Sequence, residues 1–308
     1  MGIMMKHKIR HFLHKIKVFL LYENKLTPIL YKSLCRFHLV TPSVIVYVDG
    51  GICSQMHQYL LGRFYAEKGC HVAYDLGWYK RNGMDNNGVF ERRFEFNELY
   101  PNLPFEKASA QKVAFYSRVF PYHRDGMKFP TDQRPPVYFG GYYTELDNRA
   151  YAQCFNRWLS VEHCMKILNI FNKWGGVKCA VHVRRGDLAK MDDYFYGKVT
   201  IEYFVKAMEY VKRMCSDVTF CFFSDELDWV EANLLQYCKD VRYKLMKGNK
   251  AYEDLYLMAC CDHWIASQGS AGKIAAMMNG KGLLLISNDS HDLVWKERYD
   301  NTVVIESN

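Results

Sequence analysis

The sequence has no CxxC pair, although it contains eleven cysteines in 308 residues. An odd count without paired spacing argues against both a disulfide framework and a zinc site. Several cysteines lie instead inside apolar runs, namely Cys179, Cys221, Cys260 and Cys261. Small apolar thiols in such positions are typical of reduced, buried cysteines. We therefore expect a cytosolic protein.

A long uninterrupted apolar run is also missing. Charges interrupt the amino-terminal extension, residues 1–42, before the roughly 18 apolar residues of a membrane span accumulate. No clean apolar core leads to a small-residue cleavage site, as a signal peptide requires. Apolar residues recur at helical spacing and predict a basic amphipathic helix: Ile9, Phe12, Leu13, Ile16, Phe19 and Leu20. This helix either lies peripherally on a membrane or packs on the protein itself.

Positive charge is scarce outside this extension. The net charge is +8, and residues 1–42 hold eight Lys and Arg against Glu23 alone, a surplus of seven. The remaining residues therefore carry a surplus of about one. A protein that binds nucleic acid spreads cations over a docking face, so we expect no nucleic-acid partner.

The body of the chain predicts two α/β domains. At 308 residues it is too long for one ordinary core and fits two domains of about 120 to 150 residues. Pro42 closes the extension, and Gly175-Gly176 marks a second boundary, so we expect domains at residues 43–174 and 175–308.

Short apolar strands alternate with amphipathic helices after residue 175. We predict strands at 177–184, 218–224, 241–245, 263–267 and 282–287, separated by helices at 201–214, 226–236, 252–261 and 270–279. This alternation indicates a parallel, doubly wound sheet.

Polar motifs follow three of these strands. Arg184 to Asp187, Ser224-Asp225 and Ser267 to Ser270 each come after a strand and before a helix. Because the carboxyl ends of parallel strands meet at one edge, these motifs should line one crevice. The adjacent Arg184 and Arg185 match a diphosphate, although a salt bridge with Asp187 is the alternative.

A second candidate anion site lies near residue 50. The strand Ser43–Val48 is followed by Gly50 and Gly51 and then by a helix that begins near Gln55. A glycine turn before a helix offers free backbone N–H groups to an anion or a sugar hydroxyl.

Four stretches, taken in order, resemble the bacterial α-1,2-fucosyltransferases of glycosyltransferase family 11. They are DGGICSQMHQY at 49–59, VHVRRGD at 181–187, FFSDE at 222–226 and DLYLMA at 254–259. The resemblance spans roughly residues 43–290. It implies a GT-B-like fold of two Rossmann-like domains facing a cleft, with the acceptor on residues 43–174 and the nucleotide sugar on 175–308.

The resemblance further implies transfer of L-fucose from GDP-β-L-fucose to the 2-hydroxyl of a galactose-type residue, with inversion. Such a protein would act in O-antigen or capsule assembly, on a lipid-linked acceptor at the inner face of the cytoplasmic membrane. The tyrosines at 142 and 143 would form an aromatic acceptor wall. No DxD triplet lies near the crevice, so we expect a metal-independent enzyme without a cofactor.

Candidate roles follow from these motifs. Asp187 is the candidate base, Arg184 assists the departing diphosphate, and the donor contacts are His182, Arg184, Arg185, Gly50, Gly51, Gln55, Ser224, Asp225, Ser267 and Ser270. His182 contacts the nucleotide or satisfies a buried backbone group, and Ser224 or Asp225 alternatively caps the following helix.

The chain also departs from the family pattern. Cys53, Ser54 and His57 replace the usual glycine, asparagine and aromatic, while Ala271 to Ile274 replace aromatics and add Lys273 as a possible phosphate cation. These changes leave two alternatives open: a transferase that uses another nucleotide sugar, and a non-catalytic sugar- or nucleotide-binding relative.

Overall fold

The chain divides into two α/β units in a computed structural model. The described residues are 9–16, 19, 26–81, 83–84, 88, 91–120, 122–124, 134–141, 154–155, 157, 168–169, 171–186, 188 and 200–306. Unit 1 comprises Met1–Asp49, Met56–Arg81 and Pro104–Glu145. Unit 2 comprises Gly50–Gln55, Asn82–Leu103 and Leu146–Asn308. Each unit is thus assembled from three separate segments, and the domain limits expected from the sequence stay a prediction.

The first sheet belongs to unit 1 and has four parallel strands. The strands are β1 (Ser43–Tyr47), β2 (His71–Asp75), β3 (Tyr122–Arg124) and β4 (Val137–Gly140), in the order β2-β1-β4-β3. Val44 pairs with Val72 on one side and Val137 on the other. The β-branched run of β1 therefore lies at the centre, buried on both faces.

The helices of the first half of the chain lie in unit 1, except the second, which begins in unit 2, and the fourth, which lies in unit 2. They are α1 (Leu26–Arg36), α2 (Ile52–Glu67), α3 (Gly77–Arg81), α4 (Phe96–Leu99) and α5 (Ala110–Val119). Ser109 caps α5, because its hydroxyl accepts from the Lys112 backbone N–H at 3.2 Å.

The second sheet belongs to unit 2 and has six parallel strands. They are β5 (Val177–Val183), β6 (Val218–Ser224), β7 (Arg242–Leu245), β8 (His263–Ala266), β9 (Leu284–Ser287) and β10 (Thr302–Ile305), in the order β10-β9-β8-β5-β6-β7. The chain fills one side from β5 to β7 and the other from β8 to β10. The order therefore reverses between β5 and β8, at the switch point of a doubly wound sheet.

Amphipathic helices cover this sheet. They are α6 (Ile201–Met214), α7 (Leu227–Asn233), α8 (Ala251–Ala259), α9 (Ala271–Asn279) and α10 (Ser290–Arg298). Helix α6 buries Tyr203, Phe204, Ala207, Met208 and Val211 at helical spacing against the apolar side chains of β5 and β6. This core fixes β5 in the centre, so its carboxyl end cannot shift without disturbing both neighbouring strands.

Within the part of the chain that the structure describes, no helix is both long enough and apolar enough to cross a membrane.

Candidate active site

The loops that follow β5 and β8 are tied together at the switch point. The backbone N–H of Arg184 donates to Ser267 Oγ at 2.7 Å, and the Ser267 N–H donates to the His182 carbonyl at 3.1 Å. Ser267 Oγ donates in turn to the Gln268 carbonyl at 3.4 Å. The Ser267 hydroxyl, predicted as a donor contact, is thus occupied in joining the two loops.

The loop after β6 joins the same place through its carboxylates. Asp225 Oδ1 accepts from the Arg185 N–H at 2.9 Å, and Asp225 Oδ2 pairs with the Arg184 guanidinium. Glu226 Oε2 accepts from Arg185 Nε at 3.1 Å, and the Arg185 guanidinium carbon lies 4.1 Å from the centre of the Trp229 ring. The structure therefore brings the three polar strand ends together around the two arginines.

The two guanidinium groups differ in their surroundings. The Arg185 group is held by a carboxylate and by an aromatic face, an arrangement that fixes its plane. The Arg184 group faces Asp225, and a Cβ at Gly269 would lie 3.5 Å from Arg184 Cγ. Arg184 is thus the arginine next to the loop that precedes α9.

Ser224 and Asp225 do not cap α7. Ser224 Oγ accepts from the Glu226 N–H at 2.9 Å and closes the turn after β6. The N-cap of α7 is Glu226, which makes no side-chain capping bond. Asp225 instead interacts with Arg184 and Arg185. Ser224 and Asp225 therefore both stabilise the conformation of the loop after β6.

His182 is buried at the end of β5 in its neutral form. Burial, together with the nearby charges of Arg184 and Lys273, lowers the pKa of His182 to about 3. Its Nδ1 atom is buried without a hydrogen-bond partner. A buried, unpaired ring nitrogen is costly, so this atom is available for a polar ligand group.

The start of α9 carries a residue of the predicted motif Ser267 to Ser270 that was given no individual role. Gln268 is 8% exposed, and its Nε2 atom is buried without a partner. Gly269 takes φ +85° beside it, and Ser270 is the N-cap without a side-chain capping bond. The helix N–H groups and the Gln268 amide are donors for an anion at this point. The only signal in the sequence was a polar residue between two motif serines.

Lys273 is not a free phosphate cation, contrary to the expectation from the sequence. Its ammonium group pairs with Asp292, and both side chains are buried. Asp292 Oδ2 also accepts from Ser287 Oγ at 2.8 Å, and Lys273 Nζ lies 5.5 Å from the centre of the Trp295 ring. This network fastens α9 to β9 and α10 where aromatics are usual in the family pattern.

Gln55 holds a neighbouring segment of unit 2. Its Nε2 donates to the Gly50 carbonyl at 3.2 Å and to the Arg93 carbonyl at 2.8 Å, while Oε1 accepts from the N–H groups of Glu95 and Phe96, both at 2.9 Å. These four bonds use the whole capacity of the amide. The structure therefore gives Gln55 a positioning role instead of the donor contact predicted from the sequence.

The two glycines of the turn differ. Gly50 takes φ +71°, a left-handed conformation that favours glycine. A Cβ at Gly51 would meet no atom within 4 Å, so space is open beside its backbone. Only Gly50 is required by the conformation of the turn itself.

Two carboxyl groups with raised pKa lie in the same unit near the start of α8. Burial raises the pKa of Asp254 to about 7, against the opposing hydrogen bond from Asn249 Nδ2 at 2.8 Å. Burial also raises the pKa of Glu95, whose charge interacts with Asp254 and, favourably, with Lys250. Neither residue had a role assigned from the sequence, because their chemistry depends on burial that a sequence does not display.

Several predicted contacts lie outside the described residues: Asp187, Tyr142 and Tyr143. Among the residues that are described, no group of three or more His, Cys, Asp or Glu side chains is arranged to hold a metal ion.

The order of the six strands and the charged loops at their switch point define a doubly wound α/β protein with a candidate ligand-binding crevice. A family model described as glycosyl transferase family 11 matches residues 127–301, more than half of the chain. The chain therefore belongs to glycosyl transferase family 11, the α-1,2-fucosyltransferase family. The glycine turn at residues 50 and 51 precedes the matched region.

Solved structures share the fold at low sequence identity. NodZ α-1,6-fucosyltransferase soaked with GDP-fucose is 13% identical, with a TM-score of 0.52 over 82% of this chain and 97% of that one. Selenomethionine-labelled NodZ from Bradyrhizobium is 14% identical, with a TM-score of 0.51 over 82% and 96%. A mutant of Arabidopsis thaliana FUT1 with GDP is 9% identical, with a TM-score of 0.50 over 89% and 73%.

These likenesses concern the fold alone. The expectation of a GT-B-like α/β fold with two parallel sheets is confirmed. No curated protein matches the chain significantly.

Proposed function

We propose that the protein transfers L-fucose from GDP-β-L-fucose to the 2-hydroxyl of a galactose-type residue, with inversion at the anomeric carbon. The observation that carries this proposal is the arginine pair at the switch point, next to the start of α9 and inside a family 11 chain. The GDP-fucose and GDP in the related structures support the choice of donor.

The diphosphate binds between Arg184 and the amino end of α9. Arg184 lies against the loop at Gly269, and Gln268 Nε2 is a buried donor without a partner in that loop. Two phosphate groups would satisfy this donor and face the free N–H groups of the helix. Arg185, held by Glu226 and Trp229, supports Arg184 and adds positive charge.

The nucleoside binds beside His182. Because His182 is neutral, its unpaired Nδ1 offers a hydrogen bond without adding charge. Gly50 and Gly51, in the glycine turn predicted as a second anion site, contact the donor. Gln55 holds this turn in its conformation. Ser224, Asp225 and Ser267 act by shaping the loops, and Ser270 retains a hydroxyl for the phosphates.

The reaction is a single in-line displacement. The acceptor hydroxyl oxygen forms a bond to the anomeric carbon while the bond from that carbon to the β-phosphate oxygen breaks, and GDP leaves with the electron pair. Arg184 and Arg185 stabilise the negative charge that develops on the diphosphate. The hydroxyl proton passes to a carboxylate, for which Asp187 is the candidate, or to the departing phosphate.

Two guanidinium groups supply the charge that a divalent ion provides in other transferases, so we propose metal-independent catalysis. Turnover that is lost with a chelator and restored by Mg²⁺ or Mn²⁺ would contradict this part of the proposal.

The acceptor is a galactose-containing glycan, lipid-linked in the assembly of O-antigen or capsule at the inner face of the cytoplasmic membrane. Tyr142 and Tyr143 form its aromatic wall. This part of the proposal rests on the family alone.

A donor screen with purified protein tests the reaction. GDP-fucose, GDP-mannose and a UDP-sugar are each supplied with a galactosyl disaccharide, and nucleotide release is measured. We expect release of GDP from GDP-fucose and an α-1,2 linkage in the product. Turnover with another donor would favour a transferase for a different nucleotide sugar. Retained GDP binding without turnover on any donor would favour a non-catalytic relative.

A further inference from the structure

Helix α1 carries two apolar stripes, and one of them packs on the rest of unit 1. The Tyr31 ring lies 6.2 to 6.4 Å from the rings of Phe115, Tyr116 and Phe120, measured between centroids. Its hydroxyl lies 3.0 Å from the Tyr116 hydroxyl, and Cys35, one turn further along, is buried. This stripe anchors α1, so the orientation of the opposite face is fixed.

The opposite stripe points into solvent. Leu26, Ile29, Leu30 and Phe37 share one helical face and are 59% to 70% exposed. Phe37 belongs to this face because its backbone N–H still donates to the Ser33 carbonyl at 3.0 Å. A contiguous row of large exposed apolar side chains marks an interaction surface.

Residues 9–16 repeat this pattern. They are helical, and all eight are exposed. Ile9, Phe12, Leu13 and Ile16 follow the spacing of one helical face and are 40% to 64% exposed. The sequence left open whether this helix lies on a membrane or packs on the protein itself. Residues 9–16 show no such packing, because all of them are exposed.

Charge identifies what covers these two apolar faces. Residues 1–42 contain eight Lys and Arg against one Glu, and Lys32 and Arg36 lie on α1 itself. A second copy of this segment would bring like charges together, whereas anionic lipid headgroups complement them. Helices with an apolar face and basic flanks bury that face at the boundary of headgroups and acyl chains.

We propose that the exposed stripe of α1 and the apolar face of residues 9–16 dock on the surface of an anionic lipid bilayer without crossing it. The docking surface consists of Leu26, Ile29, Leu30 and Phe37 with Ile9, Phe12, Leu13 and Ile16. This proposal does not depend on the donor or acceptor proposed above, because it concerns unit 1 and no residue of the candidate site.

Vesicle co-sedimentation of the full chain tests the proposal. The protein is mixed with vesicles of phosphatidylcholine alone or of phosphatidylcholine with phosphatidylglycerol, at low and high salt. We expect binding to the anionic vesicles only, weakened by salt because the attraction is screened. Ile29→Ser/Leu30→Ser should lower the partition coefficient by a factor on the order of 10², because two apolar side chains no longer enter the bilayer.

A matched control makes the same kind of apolar-to-serine substitution at a different exposed site. Leu293 and Val294 on α10 are also exposed, so Leu293→Ser/Val294→Ser should bind vesicles like the wild type. Equal binding of the Ile29→Ser/Leu30→Ser variant and the wild type would overturn the proposal. So would equal binding to neutral and anionic vesicles, or a wild-type dimer that the Ile29→Ser/Leu30→Ser substitution dissociates.

Discussion

Each arginine after β5 meets a carboxylate from the loop after β6, and this pairing sets what each side chain can do. Arg184 pairs with Asp225, and Arg185 with Glu226 while stacking on Trp229. Removing an arginine leaves a partly buried carboxylate without its partner, in addition to removing a phosphate contact. Substitutions here therefore need a binding readout and a stability readout together.

Arg184→Ala should reduce kcat/KM for GDP-fucose about 10²- to 10³-fold, the usual effect of removing one group that stabilises transition-state charge. The measurement is GDP release by purified protein. Arg242→Ala is the matched control, because Arg242 also pairs with an aspartate, Asp217, but at an exposed position. Wild-type turnover in Arg184→Ala, with normal thermal unfolding, would refute the phosphate contact.

The raised pKa of Asp254 predicts a dependence of stability on pH. The pKa is about 7 in the folded protein and 3.8 in a model peptide, so folding favours the protonated carboxyl. The stabilisation is complete below about pH 4 and is lost as the pH rises through 7. The free energy of unfolding should therefore fall over this range in denaturant titrations.

Asp254→Asn is the comparison, because an amide cannot ionise but has nearly the same shape. The difference in unfolding free energy between the variant and the wild type should shift in favour of the variant as the pH rises from 5 to 8. A difference that does not change with pH would show that Asp254 is not the group responsible.

Among the secondary-structure elements, α9 is fixed at its first turn by two adjacent residues. At its first turn, a Cβ at Gly272 would lie 2.9 Å from His182 Cβ and 3.2 Å from Ala266 Cβ. The buried pair of Lys273 and Asp292 then holds the next residue. The backbone N–H groups proposed to face phosphate are thus positioned by a close approach that only glycine permits.

Gly272→Ala should lower the unfolding free energy by about 1 to 3 kcal/mol, the usual cost of overpacking a core. It should also weaken GDP binding, because α9 must move away from β5 and β8. Gly175→Ala is the control, since a Cβ there would meet no atom within 4 Å. Calorimetry with and without GDP measures both effects, and unchanged values for Gly272→Ala would contradict this account of α9.

Strands β5, β6, β8 and β9 of unit 2 could be predicted because each is a buried parallel strand with a continuous apolar run. Strand β7 was also predicted, although Arg242 to Lys244 are exposed, from the regular alternation of strands and helices. Strand β10 and helix α10 were not predicted, and the polar sequence of α10 has little periodicity. The roles of Gln55 and Lys273 depend on Glu95 and Asp292, 40 and 19 residues away. Such pairings arise from tertiary packing, which the local sequence does not contain.

At the scale of the whole molecule, the described residues of the candidate site belong to unit 2. Arg184, Asp225, Gln268 and the turn at Gly50 all belong to it, while the first sheet belongs to unit 1. Ligand binding to one folded unit protects the amides of that unit most strongly.

GDP should therefore slow amide hydrogen exchange at Arg184 to Gly186 and at Gln268 to Lys273, and leave β1 and β2 unchanged. Exchange with and without GDP, followed by mass spectrometry, measures this. Arg184→Ala should abolish the effect. Protection confined to β1 and β2 would be incompatible with the proposed donor site.

The assembly of unit 2 from three separate segments affects its folding, both during synthesis and in a fragment. Phe96, Leu99 and Tyr100 come from the early segment and are fully buried, with Phe96 and Tyr100 in ring contact with Phe155. A fragment that starts at Gly175 would lack all four, so an expression trial of residues 175–308 alone should yield aggregated material. During synthesis, the early segment can pack against α8 only after α8 has left the ribosome.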